Sequence, residues 1–497
     1  MTPELSAFDI VVIVLLLICV FLGMTPVLTS AFQFLVLPLH AFRNHFRQAQ
    51  PFTPKVAVVV PAWNEGLVIG ASIDRLLALD YPEDQLRIFV VDDASTDNTP
   101  DVVLERAANH PGRVVHLRRE VGGEGKAHTL NHGISRILAD DWAEAVLIMD
   151  ADVIFAHDSL RKLARHLADE KVGAVTAYIA EGSEDRNYLT RFIAIEYVVS
   201  QLAARRAQNV QGAIACLAGG AQLHSRANLE AIGGRIPTGT LAEDTMTTFE
   251  GQIKGRRMVF EPYAVVLAEE PRTIDSLWKQ RLRWARGNVQ LTSIYKHLWF
   301  RPSREHRLGS VSFGLIWFSV LLLPAFMLLA SAALMTLLIL HSDIAEVTFR
   351  FMWIFTVCVY VYLMVFSVQL DPRIGRQSWR EALLFPGVGA WLLMSAALFP
   401  QLPEVISVSA FGVELNADGR FIVLACLYLW GPVSMAGAWL ARYVERLPGG
   451  KFFAGLMLYI FGYGSLLCAI TVDSYIKEWR RADASWVKTE KVGRVVS

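Results

Sequence analysis

Cysteine is scarce in this chain of 497 residues, which holds five. Four of them (Cys19, Cys358, Cys426 and Cys468) lie inside apolar runs, and none sits at metal-ligand spacing. A zinc site and a disulfide framework are therefore not expected. An excess of charge of either sign is also missing: 47 Lys and Arg balance 47 Asp and Glu. There is no internal repeat and no low-complexity segment. A phosphate loop is missing too. Gly122-Gly123-Glu124-Gly125-Lys126-Ala127-His128 has its glycines at the wrong spacing, with Ala127 where Ser or Thr is required. That argues against an NTPase, although a lysine opening a helix can still meet an anion. At the N-terminus there is neither a basic leader nor a small-residue cleavage site, so the first apolar run reads as an anchor.

What the chain has in quantity is apolar sequence. It is 53% hydrophobic with a mean hydropathy of +0.36. Six stretches free of Asp, Glu, Lys and Arg are long enough to span hydrocarbon: Ile10–Leu39, Ser310–Leu340, Phe351–Leu370, Ala382–Pro403, Phe421–Ala441 and Phe452–Val472. Glu4 and Asp9 precede the first, whereas Arg43, Arg47 and Lys55 follow it. Positive charge marks the cytoplasmic side, so the polar block between the first two stretches is expected in the cytoplasm. The expected organisation is an anchor over 1–50, a cytoplasmic domain over 51–300, a helix bundle over 301–475 and a basic tail over 476–497.

Within the polar block, β-branched runs alternate with helical patterns. The expected strands are Lys55–Pro61, Arg87–Asp93, Arg113–Leu117 and Ala145–Asp150; the expected helices are Val68–Leu79, Asp97–Asn109 and Lys126–Leu138. This alternation predicts an α/β doubly wound sheet, in which ligands sit beyond the carboxyl ends of the strands. Asp92, Asp93, Asp150 and Asp152 all fall at such ends. Asp150-Ala151-Asp152 suits a hard divalent cation bridging carboxylates and phosphate; a solvated turn is the plainer alternative. Asp92-Asp93 could cap the next helix, with Ser95 or Asp97 as rival caps. Glu243-Asp244 opens a helix, and Asp244 could be its N-cap. Tyr188–Gln208 reads as an amphipathic membrane-surface or packing helix. In Leu277-Trp278-Lys279-Gln280-Arg281-Leu282-Arg283-Trp284, helical spacing puts Gln280, Arg283 and Trp284 on one face. That face offers an amide, a planar cation suited to a diphosphate and an indole suited to a sugar ring.

Taken in order, Asp92-Asp93, Asp150-x-Asp152, Glu243-Asp244 and Gln280-x-x-Arg283-Trp284 resemble the signature of processive family 2 membrane glycosyltransferases, the cellulose, chitin, hyaluronan and poly-N-acetylglucosamine synthases. The wording of the last run is most similar to the bacterial poly-N-acetylglucosamine synthases. Pro61-x-x-Asn64-Glu65, Gly125-Lys126-Ala127-x-x-Leu130-Asn131 and Gly233-Gly234 support the resemblance, while Ala242 stands where Thr is usual. The resemblance implies a GT-A-type nucleotide-sugar domain inserted between transmembrane helices. Asn64, Glu65, Asp92 and Asp93 would hold the uridine of a UDP-sugar, with Lys126 also on the donor side. Asp152 with Asp150 would hold Mg²⁺ or Mn²⁺ on the diphosphate, and Arg283 would neutralise the departing UDP. Gln280 and Trp284 would line the acceptor sugar. Asp244, beside Glu243, would be the base of a single inverting displacement.

The function implied is polymerisation of UDP-N-acetylglucosamine or UDP-glucose into a β-linked exopolysaccharide extruded across the bacterial cytoplasmic membrane. Aromatics in the later spans, Trp317 and Trp391 among them, could line its path. The implied partners are the UDP-sugar donor, the growing polysaccharide, the lipid bilayer and a small membrane or periplasmic accessory subunit; no nucleic acid and no further cytoplasmic regulatory domain are expected. Two alternatives stand beside this reading: a non-processive enzyme adding one sugar to a lipid, and an inactive transferase-like scaffold or transporter. Six full crossings would put the tail outside, yet Lys477, Arg480, Arg481, Lys488, Lys491 and Arg494 favour the cytoplasm. Ala382–Pro403, broken by prolines and glycines, is the stretch expected not to cross.

Overall fold

The computed structural model describes residues 6–42 and 49–482. Glu4, Arg43, Arg47 and the basic tail beyond Ala482, with Lys488, Lys491 and Arg494, lie outside the described residues. The chain forms two compact units: residues 33–272 with 286–314, and residues 1–32 with 273–285 and 315–481.

The first of these holds an eight-stranded sheet in the order β3-β2-β1-β4-β7-β6-β8-β5. Its strands are β1 (Val56–Ala62), β2 (Leu86–Asp92), β3 (Val114–Arg118), β4 (Ala145–Met149), β5 (Val153–Phe155), β6 (Val172–Glu181), β7 (Ala221–Ser225) and β8 (Arg257–Ala268). β1 to β4 pair in parallel, as the alternation predicts. Beyond β4 the sheet departs from a doubly wound parallel order. β7 runs antiparallel to both β4 and β6, and β5 antiparallel to β8. β6 and β8 pair in parallel, so this half of the sheet is mixed. β5 follows β4 after three residues, too few for a parallel crossover, and pairs with β8 instead.

Alternate residues of β1 enter two separate cores. Val56, Val58 and Val60 pack with Ile69, Ile73 and Leu76, whereas Ala57 and Val59 pack with Leu130, Ile134 and Ile137. The sheet is thus covered on both faces, which is why β1 reads as a continuous apolar run. Each buried Val or Ile contributes about 1.5–3 kcal/mol over its exposed state. The helix Lys126–Leu138 has the expected bounds, and its buried Leu130, Ile134 and Ile137 keep the four- and three-residue spacing of one face.

Residues 188–211 follow the packing alternative of the two expected for this segment. Tyr188–Tyr197 and Ala204–Gln211 are α-helical and Val198–Ala203 between them is π-helical. Leu189, Phe192, Ile193 and Leu202 are all buried. Buried residues lie around most of the circumference of Tyr188–Tyr197, a wider face than the amphipathic pattern predicts.

The other unit is helical. Among the described residues, three helices are long and apolar enough to cross a membrane: Thr25–Phe42, Leu323–Leu340 and Ser342–Leu370. Three bent pairs would bring the number to six. They are Val388–Leu398 with Leu402–Ala410 (113°), Ala417–Tyr428 with Trp430–Glu445 (59°), and Gly450–Phe461 with Tyr463–Trp479 (99°). Several expected spans are therefore divided. Ser310–Leu340 breaks before Leu323-Pro324, where proline can only begin a helix. The last pair breaks at Gly462, whose φ of +91° favours glycine.

Candidate active site

The register of the parallel strands collects polar side chains along one edge. Ala62 pairs with Asp92, and Asp92 with Arg118. Arg118 Nη1 consequently donates to Asp92 Oδ2 at 2.6 Å, while the Ser95 N–H donates to Oδ1 at 2.8 Å. Asp93 takes Arg119 on Oδ1 and the Gly123 N–H on Oδ2 at 3.0 Å. Neither carboxylate caps the following helix. Thr99–Asn109 is led by Asn98, and Asp97 Oδ1 accepts the Thr99 N–H at 3.0 Å. Asn64, at φ +54°, accepts the Thr96 N–H at 2.8 Å and donates its own N–H to Ser95 Oγ at 2.9 Å. The Glu65 N–H donates to Thr99 Oγ1 at 2.8 Å. Asn64 and Glu65 thus fasten the loop after β1 to the loop after β2. The arginines Arg118 and Arg119 were not anticipated; basic residues directly after an expected strand were the available signal.

Asp150 and Asp152 lie on the tight link between β4 and β5. Asp150 is salt-bridged by the Lys126 ammonium, which also donates to the Gly219 carbonyl at 3.1 Å. Burial works against the charge on Lys126. The Asp150, Glu243 and Asp244 carboxylates outweigh it and hold the pKa above the usual lysine value. Lys126 is thus paired with Asp150 and also feels the charges of Glu243 and Asp244, far away in the chain.

Antiparallel pairing of Met149 with Ala221 brings Gly220 beside Asp150. A methyl group on Gly220 would stand 3.1 Å from Asp150 Oδ2, and one on Gly219 would stand 3.1 Å from Asp244 Oδ2. The two glycines keep a shelf clear between these carboxylates. Thr176 on β6 pins that shelf, accepting the Ala218 N–H at 3.0 Å and donating to the Ala221 carbonyl at 2.9 Å. Asp244 is not an N-cap. The cap position of the helix Glu243–Ile253 is Ala242, and Asp244 Oδ1 accepts the Thr245 N–H at 2.7 Å.

Two further residues beside Asp244 were not foreseen. Burial pulls the Arg205 guanidinium below its ordinary pKa, with Cys216, Asp244 and Tyr197 acting the other way. Burial and then the Asp244 carboxylate push the Cys216 thiol up. Arg205 is the second residue after the π-helical turn, and such turns recur at functional sites.

Gln280, Arg283 and Trp284 belong to the helical unit. Gln280 is buried, and among the described residues its Oε1 finds no hydrogen-bond partner. Trp284 is 36% exposed, with the Arg281 guanidinium 4.0 Å over its ring. The helix that carries them, Ile274–Ile294, is tied down at its start: the Ile274 and Asp275 N–H groups donate to the Glu445 carboxylate at 2.9 and 3.1 Å. A carboxylate there also meets the positive end of the helix dipole.

Among the described residues, no three His, Cys, Asp or Glu side chains converge as a metal cage. Asp150 and Asp152 nevertheless supply two hard oxygen donors. That set fits Mg²⁺ or Mn²⁺, which bind through one or two carboxylates while water and phosphate complete the shell.

A mixed sheet with a parallel half and carboxylates at its edge defines a GT-A-type glycosyltransferase fold. Residues 54–287 match the profile of glycosyltransferase like family 2, so the chain carries a family 2 glycosyltransferase domain. It is 32% identical over 275 residues to a probable glycosyltransferase, YdaM, of Bacillus subtilis, covering 55% of this chain and 63% of that one. It is 31% identical over 237 residues to a beta-monoglucosyldiacylglycerol synthase of Synechocystis, covering 48% of each. Against a poly-beta-1,6-N-acetyl-D-glucosamine synthase of Staphylococcus epidermidis it is 29% identical over 237 residues, covering 48% of this chain and 55% of the other. The match thus extends over less than two thirds of each relative.

Proposed function

We propose that this protein is a processive inverting glycosyltransferase that joins UDP-N-acetylglucosamine or UDP-glucose units into a β-linked polysaccharide and passes it across the cytoplasmic membrane of a bacterium. The observation that carries the transferase reading is the glycine shelf, with Asp244 on one side and the Lys126–Asp150 pair on the other. An acceptor hydroxyl at the shelf attacks the anomeric carbon of the donor, and the bond from that carbon to the diphosphate oxygen breaks. Asp244 takes the hydroxyl proton as the new bond forms, a task general bases perform for about 10²–10⁴-fold in rate. Asp93, Asn64 and Glu65 hold the nucleoside with Asp92, the more deeply buried of the two aspartates, held beneath them by Arg118 and Ser95. Lys126 keeps Asp150 in place. Asp150 and Asp152 hold Mg²⁺ or Mn²⁺, which when bound neutralises charge on the diphosphate. Arg283 shares that task, and the Gln280 amide oxygen, with its neighbour Trp284, receives the acceptor sugar.

A second reading is favoured by one observation: the beta-monoglucosyldiacylglycerol synthase is matched as well as the poly-beta-1,6-N-acetyl-D-glucosamine synthase. In that case the acceptor is a lipid and one sugar is added. Purified protein in lipid bilayers is given each UDP-sugar separately, with and without dioleoylglycerol, and the products are sized and linkage-analysed. A ladder of long β-linked chains supports the polymerase. A single glycolipid that requires dioleoylglycerol supports the second reading, and no UDP release from either donor overturns both.

A further inference from the structure

The helix Glu243–Ile253 begins without a side-chain cap: Ala242 offers none, and Thr240 Oγ1 accepts the Ala242 N–H at 3.1 Å. Its far end is braced, with the Phe249 ring 5.2 Å from Tyr295 and 5.9 Å from Phe313. What fixes its near end comes from the helix Ile274–Ile294. Gln290 Oε1 accepts the Leu241 N–H at 3.1 Å. Gly287 lies so close to Ala242 that a methyl group there would be 2.5 Å from Ala242 Cβ and 2.9 Å from its backbone nitrogen. Glycine weakens a helix interior, and here it is what lets the two backbones approach.

We propose that Gly287 and Gln290 are positioning residues for Asp244. They clamp Leu241-Ala242, the two residues that lead into the helix, and so set where the carboxylate two residues beyond Ala242 stands relative to the glycine shelf. This rests on the reading of Asp244 as the base. A displacement of about 1 Å at a reacting group can cost ~10²-fold in rate, so a clamp at this point acts on turnover and not on donor affinity. Both residues belong to the helix that also carries Gln280 and Trp284.

The test uses full-length protein in detergent and four variants: Q290A, Q290E, G287A and G287A/A242G. Q290E keeps an acceptor oxygen for the Leu241 N–H, and A242G removes the methyl group nearest to the new one. Amide hydrogen exchange across 238–246 is expected to be faster in Q290A and G287A, and to return toward wild type in Q290E and the double variant. UDP release, with whichever of UDP-glucose and UDP-N-acetylglucosamine the wild type consumes, should show kcat about tenfold lower in Q290A and about 10²-fold lower in G287A. KM for the donor should stay within about twofold, and kcat should recover in Q290E and in part in the double variant. Unchanged exchange in Q290A overturns the clamp, whatever the activity. Faster exchange with unchanged kcat overturns the positioning of Asp244. Wild-type protein that releases no UDP from either donor overturns the proposed function, and the exchange arm still decides the clamp.

Discussion

The indole Nε1 of Trp278 donates to Asp473 Oδ2 at 2.8 Å, with Trp278 fully buried. The same ring has Trp439 packed edge-on at 5.2 Å and the Arg442 guanidinium 4.7 Å over its face. One tryptophan near the start of the helix Ile274–Ile294 thereby ties it to Trp430–Glu445 and Tyr463–Trp479. Replacing Asp473 with Ala strands a buried N–H, which costs about 1–3 kcal/mol. Thermal unfolding in detergent should show the loss. A double-mutant cycle with Trp278→Phe should return most of it as coupling, and additive losses would dissolve the link.

Asp275 meets three cations: Arg446, Lys279 at 3.0 Å and Arg442 at 2.9 Å. Burial raises its pKa, but the hydrogen bonds from these three groups prevail and hold the carboxyl well below the usual range. A carboxyl depressed in the folded state stabilises the fold above its unfolded pKa, near 4, and that stability fades as pH falls through the folded value. Asp275→Asn should therefore lower Tm at pH 7. The gap from wild type should narrow as pH is taken below about 4; a gap independent of pH would mean that the charge plays no part.

Asp244→Asn keeps the side chain's size and removes its basicity. Transfer should fall by about 10²–10⁴-fold, while UDP still binds with near wild-type affinity by calorimetry. Comparable turnover in the Asn variant would leave Asp244 a structural residue of the helix's first turn.

Chelation gives an independent check on Asp152. EDTA should abolish UDP release by the wild type, and Mg²⁺ or Mn²⁺ should restore it. Asp152→Ala should not recover on addition of either ion, since a hard cation loses one of its two protein oxygens. Full activity of the wild type in excess EDTA would be incompatible with the cation at Asp150 and Asp152.

The parallel half of the sheet was legible because local pattern and tertiary role coincide there. Val56–Ala62 is β-branched and buried on both faces, so its composition announces a central strand. The helix Lys126–Leu138 is amphipathic, and its Gly125 at φ +106° marks its start. The mixed half, from β7 to β5, was not legible. Ala221-Gln222-Leu223-His224-Ser225 has no β-branched residue, and Arg257–Ala268 carries Glu261 and Pro262 in its middle. These become strands because neighbours pair with them, a context that propensity does not contain.

The candidate site divides in the same way. The sequence alone determined which carboxylates stand at strand ends, because a parallel strand's exit is a local feature written in its own residues. It determined equally that Gln280, Arg283 and Trp284 share a helix, since spacing is periodic. Only the tertiary structure decided that Asp92 is held by Arg118, that Lys126 pairs with Asp150 within reach of the Glu243 and Asp244 charges, and that Gly219-Gly220 lies between Asp150 and Asp244. The first and the last of these depend on strand register across the sheet. Register is set by pairing between segments tens of residues apart, and no single segment carries it.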